Sequence, residues 1–317
     1  MNIIINTFCN LHCPYCFAAD VIDKYSSYNC MSEESFEEVL SFLKYNNITE
    51  VRLIGGEPTI HPKIKIFIEK IIDFGFTDIM IFTNGLFDND LLNYFKQISK
   101  RINIHFLFNV NEPKLLGEKY KILTNNLYVL LAYAASVNIG INFYSPDQEY
   151  EYIVDLAKEL DRKSIRWSLT IPNEKKVNSI TFINHLNKNK KNLMHFLELC
   201  SQAKIIASQD CNALPICMFD AEDIYKILHI KPDIFVKTSC EKAVIDIAPD
   251  LKISRCFGMS DIENTITLKD FNRIEDIFSY FEKLDEKYKK IYLFSSCKNC
   301  ETQKRNNNSC ACLKYRK

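Results

Sequence analysis

Apolar residues recur along the first half of the chain in two alternating rhythms. Short runs such as Asn2–Asn6, three isoleucines between asparagines, have the length and β-branched content of a buried strand. Between such runs lie stretches whose apolar positions are three and four apart, the spacing of one helix face. Val51–Ile54, Asp78–Phe82, Ile102–Phe108, Ile139–Tyr144 and Ile165–Leu169 continue the strand series. A helix is expected to begin near Met31. There Ser32-Glu33-Glu34-Ser35 offers a capping-box start, and Phe36, Val39, Leu40 and Leu43 share a face. Further helices are expected from about Pro62 to Phe74, Tyr120 to Val137 and Tyr150 to Leu160. Six strands separated by helices predict an α/β fold with a parallel sheet, and the loops after the strands then meet at one rim. Beyond about Pro172 the alternation lapses. A polar helical stretch over Asn184–Asn192 leads into shorter runs, which places a boundary near 175–210.

Charge and composition narrow the classes. The 317 residues carry 40 basic and 40 acidic side chains, so no chain-wide field favours nucleic acid. The opening Met-Asn-Ile-Ile-Ile-Asn lacks the basic and long apolar regions of a signal peptide. The longest apolar stretch, around Val129–Val137, is far short of the ~18 residues of a membrane span. A cytoplasmic protein with no membrane partner is expected. In that reducing setting, thirteen cysteines, an odd number, read as metal ligands or catalytic thiols rather than a disulfide framework.

Three of them, Cys9, Cys13 and Cys16, fall in the eight residues CNLHCPYC just after the first strand. Structural zinc and ferredoxin-type clusters both want four ligands. Three thiolates on a four-iron cluster leave one iron open. The CxxxCxxC loop resembles the signature of the radical S-adenosylmethionine (radical SAM) superfamily. There the open iron is chelated by the amino and carboxylate groups of SAM, and an electron from the [4Fe–4S] cluster cleaves SAM to a 5′-deoxyadenosyl radical. The resemblance extends to Gly55-Gly56-Glu57-Pro58 after the second strand, where Glu57 and nearby backbone would hold the methionyl amine. Tyr15 matches the aromatic position that lies against the adenine, and Thr83-Asn84-Gly85 looks like the TNG end of strand three. By the same likeness Asn109 would meet the ribose hydroxyls, and Arg166 would pair with the SAM carboxylate. Turn-forming and surface roles are the ordinary alternatives for Asn109 and Arg166.

Of the remaining cysteines, Cys30 and Cys200 stand alone in helical context and read as small buried apolar residues. The others group as Cys211 and Cys217, Cys240 and Cys256, and Cys297, Cys300, Cys310 and Cys312. Two β-like runs around Pro249-Asp250 read as a hairpin between Cys240 and Cys256. This portion resembles the SPASM/twitch extension found behind some radical SAM barrels. By that likeness Cys240, Cys256 and Cys312 would share one auxiliary iron–sulfur cluster, and Cys297, Cys300 and Cys310 would belong to a second. The last cassette departs from the SPASM spacing, and the chain stops at Lys317 before a final cysteine. One auxiliary cluster is therefore better supported than two. Cys211 or Cys217 could supply a further ligand, or Cys217 could act as a hydrogen-atom donor thiol; a zinc ribbon is the alternative for the last four.

The architecture implied is a partial (β/α)6 barrel over 1–175, a bridging region over 176–235 and a SPASM/twitch-like domain over 236–317. The function implied is hydrogen abstraction from a ribosomally made peptide, giving a crosslink, thioether or epimer, with electrons from a flavodoxin- or ferredoxin-type donor. Oxidation of a small sugar or cyclitol alcohol is one alternative; a non-enzymatic electron carrier or redox sensor is another. Because the chain begins at strand one, leader recognition would fall to the rim, a separate leader-binding protein, or the tail. From Lys283 to Lys317 the tail has ten basic and three acidic residues, 10 − 3 = +7.

Overall fold

The computed structural model describes residues 1–16, 19, 30–170, 179–210, 216–232, 234, 244–256, 266–289 and 298–299. All six expected strands form. β1 (Asn2–Asn6) leads through α1 (Glu33–Tyr45) to β2 (Glu50–Gly55), α2 (Ile64–Asp73), β3 (Asp78–Thr83), α3 (Asn89–Ile98) and β4 (Asn103–Asn109). Then follow α4 (Lys119–Leu131), β5 (Ser136–Phe143), α5 (Glu151–Glu159) and β6 (Ser164–Leu169). Ser32 caps α1 by accepting a hydrogen bond from the Ser35 backbone N–H, which bears out the N-cap; Ser35 is not the Glu or Gln that a capping box needs, so the expected start is an N-cap rather than a full box.

The chain divides into two compact units, Met1–Cys13 with Ala18–Ile139 and Val244–Phe278, and Pro14–Phe17 with Gly140–Ala243 and Ser279–Lys317. In the first, the strand order is β5-β4-β3-β2-β1-β8-β9, where β8 (Asp246–Ile247) and β9 (Ile253–Ser254) form the hairpin expected around Pro249-Asp250. β1–β2, β2–β3, β3–β4 and β1–β8 are parallel, and β8–β9 is antiparallel. Ile3, Ile4 and Ile5 are all buried, as a central parallel strand with both faces covered requires. Phe36 of α1 and Phe67 of α2 stack with centroids 4.1 Å apart, both fully buried. Since these strands are parallel, the loops after β1, β2, β3 and β4 leave from one end of the sheet.

The second unit has the order β7-β6-β5, with β6–β7 parallel and β7 at Ile206–Gln209. Phe143, Trp167 and Phe196 form its aromatic core: Phe143 and Phe196 lie 5.2 Å apart, edge on. Two expectations are corrected here and in α4. The alternation does not lapse after β6: α6 (Ser179–Gln202) and β7 add one more turn of it. Surface asparagines and lysines on α6 mask a buried stripe of Leu186, Leu193, Phe196, Leu197 and Cys200. The helix expected to run to Val137 stops at Leu131. Val137 and Ile139 instead alternate with half-buried Ser136 and Asn138, and the Ala135 N–H donates to the Ile104 carbonyl at 2.8 Å beside β4.

Cys30 is a further correction. It is exposed and forms an isolated bridge with Asn6, whereas Cys200 is buried, its thiol pushed up to about 12 by desolvation. Cys211, Cys240, Cys297, Cys300, Cys310 and Cys312, and the Cys217 side chain, lie outside the described residues. Among the described residues, no helix is long and apolar enough to cross a membrane.

His61, between β2 and α2, carries a pH signature. It is 2% exposed, its Nδ1 accepts from the Lys63 N–H at 3.0 Å, and its ring tilts against Phe67 at 4.6 Å. Burial lowers it from 6.5 to about 4. The folded state therefore binds fewer protons than the unfolded chain between those values. This contribution to stability is complete above pH 6.5 and is lost as pH falls toward 4. A His61→Leu variant should show a shallower decline in urea-unfolding free energy over that window, by at most about 3 kcal/mol at one pKa unit per 1.36 kcal/mol.

Candidate active site

The loop after β1 is held by what the end of β2 lacks. The Gly56 N–H donates to the Asn6 carbonyl at 2.9 Å and the Glu57 N–H to the Phe8 carbonyl at 3.0 Å. A Cβ on Gly55 would lie 2.4 Å from the Asn6 carbonyl oxygen, and one on Gly56 would lie 2.2 Å from that of Phe8. Neither contact is possible for a side chain, so the two glycines permit the approach. Asn6, fully buried, donates its side-chain amide to the Phe8 carbonyl at 2.9 Å and the Glu57 carbonyl at 3.0 Å.

Glu57 sits 1% exposed beneath this junction. One carboxylate oxygen accepts from the Thr59 N–H at 3.1 Å, the Thr59 hydroxyl at 2.6 Å and the Thr83 hydroxyl at 2.8 Å. The other accepts from the Asn84 N–H at 2.7 Å. Burial pushes the carboxyl up and these hydrogen bonds pull against it. Glu57 thus joins the end of β2 to the end of β3. The turn after β3 is built for that: Gly85 takes φ +79°, and Asn126 of α4, buried, donates to the carbonyls of Gly85 at 2.9 Å and Phe87 at 2.8 Å.

Cys9 and Cys13 are half-buried in the loop so held. The Leu11 N–H points to the Cys9 sulfur at 3.4 Å, and the Asn84 Nδ2 reaches it at 3.8 Å. Asn111, two residues beyond β4, brings its Nδ2 to 3.8 Å from the Cys13 sulfur. Amide donors directed at cysteine sulfur suit thiolate ligands, which accept but cannot donate. Among the described residues, no three Cys, His, Asp or Glu side chains are gathered as a metal-holding set; thiolate sites are commonly completed by the metal itself. The donor set fits an iron–sulfur cluster on soft-ligand grounds. Asn6, Asn111 and Asn126 are residues that sequence reasoning missed. Only Asn126 had a signal, an amide on an otherwise apolar face of α4.

Other expected residues fall as follows. Asn109 ends β4, half-buried. In the second unit, the Tyr15 ring lies 5.0 Å from Tyr144, tilted by 34°. Arg166 on β6 is ion-paired to Asp210 just after β7, both about a quarter exposed (28% and 25%). Cys256 follows β9, half-buried.

The sequence signature of the Radical SAM superfamily matches residues 3–207. A probable GTP 3′,8-cyclase of Methanothermobacter marburgensis is 31% identical over 130 residues, 41% of this chain and 40% of that protein. The chain spans about two fifths of the length of such curated relatives. The GTP 3′,8-cyclase of Campylobacter fetus is 24% identical over 240 residues, covering 73% of this chain and 72% of its own. Among solved structures, anSMEcpe with bound AdoMet superposes with a TM-score of 0.68 at 17% identity, over 97% of this chain and 88% of that one. Streptococcus suis SuiB bound to precursor peptide SuiA gives 0.62 at 16% identity, over 99% and 69%. At such identities the likeness is one of fold, and it agrees with the parallel strand order and a partial barrel. The signature covers well over half of the chain, through every parallel strand from β1 to β6, and the chain belongs to the radical SAM superfamily.

Proposed function

We propose that this radical SAM enzyme modifies a ribosomally made peptide at a carbon centre, with Cys9, Cys13 and Cys16 holding a [4Fe–4S] cluster to which SAM binds. The observation that carries the cofactor reading is the cysteine loop clasped to Gly55-Gly56, with amide donors on the sulfurs of Cys9 and Cys13. The chemistry such a cluster supplies with SAM bound is reductive formation of a 5′-deoxyadenosyl radical and hydrogen-atom abstraction. The protein's own part is positioning. Gly55 and Gly56 offer backbone to the methionyl amine, Tyr15 a ring face to the adenine, and Asn109 an amide to the ribose. Glu57, its carboxylate taken up by four protein donors, holds the turns around the amine site rather than the amine itself. Arg166 already has a carboxylate partner in Asp210, so a SAM carboxylate there would share the guanidinium.

Two observations support a peptide substrate. The fold likeness runs over 97% of the chain to anSMEcpe with AdoMet and the Cp18Cys peptide, and over 99% to SuiB with its precursor peptide. The excess of seven basic charges from Lys283 onward would draw in an acidic peptide at long range. A SPASM/twitch-like region with Cys240, Cys256, Cys297, Cys300, Cys310 and Cys312 around one or two auxiliary clusters, a flavodoxin- or ferredoxin-type donor and a separate leader-binding protein complete this reading. A second reading, cyclisation of a purine nucleotide, rests on the 31–33% identity to proteins named GTP 3′,8-cyclase.

The test is anaerobic incubation of the reconstituted protein with SAM and dithionite, with either the short peptides encoded beside its gene or GTP, read by mass spectrometry. A peptide that loses two hydrogens or takes up deuterium at an inverted centre supports the proposal; a cyclised nucleotide with unmodified peptide overturns it. Replacing Cys9, Cys13 and Cys16 together by Ala should abolish 5′-deoxyadenosine formation yet leave roughly four or more irons per chain on the auxiliary ligands. Residual zinc without iron would contradict the second half of that expectation. Glu57→Gln should lower the unfolding free energy of the apoprotein by roughly 2–3 kcal/mol, because an amide N–H would face the Asn84 N–H in a buried site. An unchanged urea midpoint with weakened SAM binding would return the carboxylate to the methionyl amine.

A further inference from the structure

Asn84 is 8% exposed and fastened at three points besides the sulfur. Its backbone N–H donates to Glu57 at 2.7 Å, its Oδ1 accepts from the Leu86 N–H at 2.9 Å, and its Nδ2 donates to the Asn10 Oδ1 at 2.7 Å. Asn10 in turn donates to the Leu86 carbonyl at 2.9 Å. An amide so fixed cannot rotate its second N–H away from Cys9, 3.8 Å distant. Asn111, 5% exposed, presents Nδ2 at 3.8 Å and Oδ1 at 3.9 Å to the Cys13 sulfur. A thiol can donate to the carbonyl oxygen. A metal-bound thiolate has no proton left and keeps only the N–H contact.

Hydrogen bonds to cluster sulfur draw electron density away from the irons and favour the reduced, more negative state. We propose that Asn84 and Asn111 are positioning residues that raise the reduction potential of the cluster on the loop, through side-chain N–H···S bonds to Cys9 and Cys13. The two act from different strand ends, β3 and β4, on different ligands. Cys9 also receives the Leu11 backbone N–H, which no substitution at Asn84 or Asn111 removes. Asn111 is the cleaner probe, because Asn84 also ties the loop to Glu57.

This inference rests on the cluster reading above, and its readout is a potential rather than turnover. The holoprotein and its Asn111→Leu and Asn111→Asp variants are titrated by EPR-monitored redox potentiometry in the absence of substrate. Iron content should be unchanged and the midpoint should fall in the order wild type, Leu, Asp, since Leu removes a donor and Asp adds a negative charge beside the sulfur. Equal midpoints at full iron content would overturn the inference. Because a variant can fail to hold iron for other reasons, a second measurement uses the wild-type holoprotein with asparagine labelled by 15N at the side-chain amide. Pulsed EPR of its reduced state should show 15N coupling, weakened in Asn111→Leu, and the absence of coupling would overturn the inference. A wild-type protein that takes up no four-iron cluster would instead defeat the functional reading, and this inference with it; failure of the coupling or the potential shift alone leaves that reading standing.

Discussion

The polar exit of an apolar strand governs this site. β1 is buried on both faces until Asn6, and a buried amide left unpaired would cost about 1–3 kcal/mol. Asn6 meets that demand for its side-chain N–H groups by bonding across the turn to Phe8 and to Glu57, and its backbone carbonyl receives the Gly56 N–H, while its side-chain oxygen stays buried without a partner among the described residues. The bonds bring two chain segments within a distance that only glycine tolerates, which is why Gly55 and Gly56 stand side by side there. The cysteine loop therefore begins from a fixed point.

From that point a polar chain runs through the first unit. Glu57 passes the constraint from β2 to β3 by holding Thr83 and Asn84, and Asn126 clamps the following turn from the helix behind it. Asn84 and Asn111 then carry it to the sulfurs of Cys9 and Cys13. The links through Glu57 and Asn126 are short and buried, 2.7–3.0 Å, and those to the two sulfurs are 3.8 Å and partly buried. Rigid elements thereby place the amide donors that reach the Cys9 and Cys13 sulfurs, and the loop supplies the spacing of the sulfurs.

Much of this was legible in the sequence because it is local. The strand runs and the Ser32 cap are set by neighbours within a few positions, and the glycine pair, whose need comes from the distant Asn6 and Phe8, was legible only as a family-like motif. What stayed hidden depends on pairing across long separations. Asn111 reads as one more loop asparagine until it meets Cys13, 98 residues away. Arg166 reads as a cation open to a ligand until β7, a strand of four residues behind a heavily polar helix, delivers Asp210. Asn6 reads as the end of an apolar run, and its bond to Glu57, 51 residues away, cannot be inferred from spacing. Cys30 misled for the reverse reason: a lone cysteine near a helix start reads as a buried one, yet it pairs with β1 at the surface.

In the proposed site, three cysteines of one loop leave an iron open to SAM. Pulsed ENDOR on the reduced, reconstituted protein with SAM labelled by 15N at the amino group and 17O at the carboxylate tests it without any substrate. Both nuclei should couple to the cluster spin in the wild type, and neither should when Cys9, Cys13 and Cys16 are replaced by Ala. A reduced wild-type cluster whose spectrum is untouched by labelled SAM would contradict it.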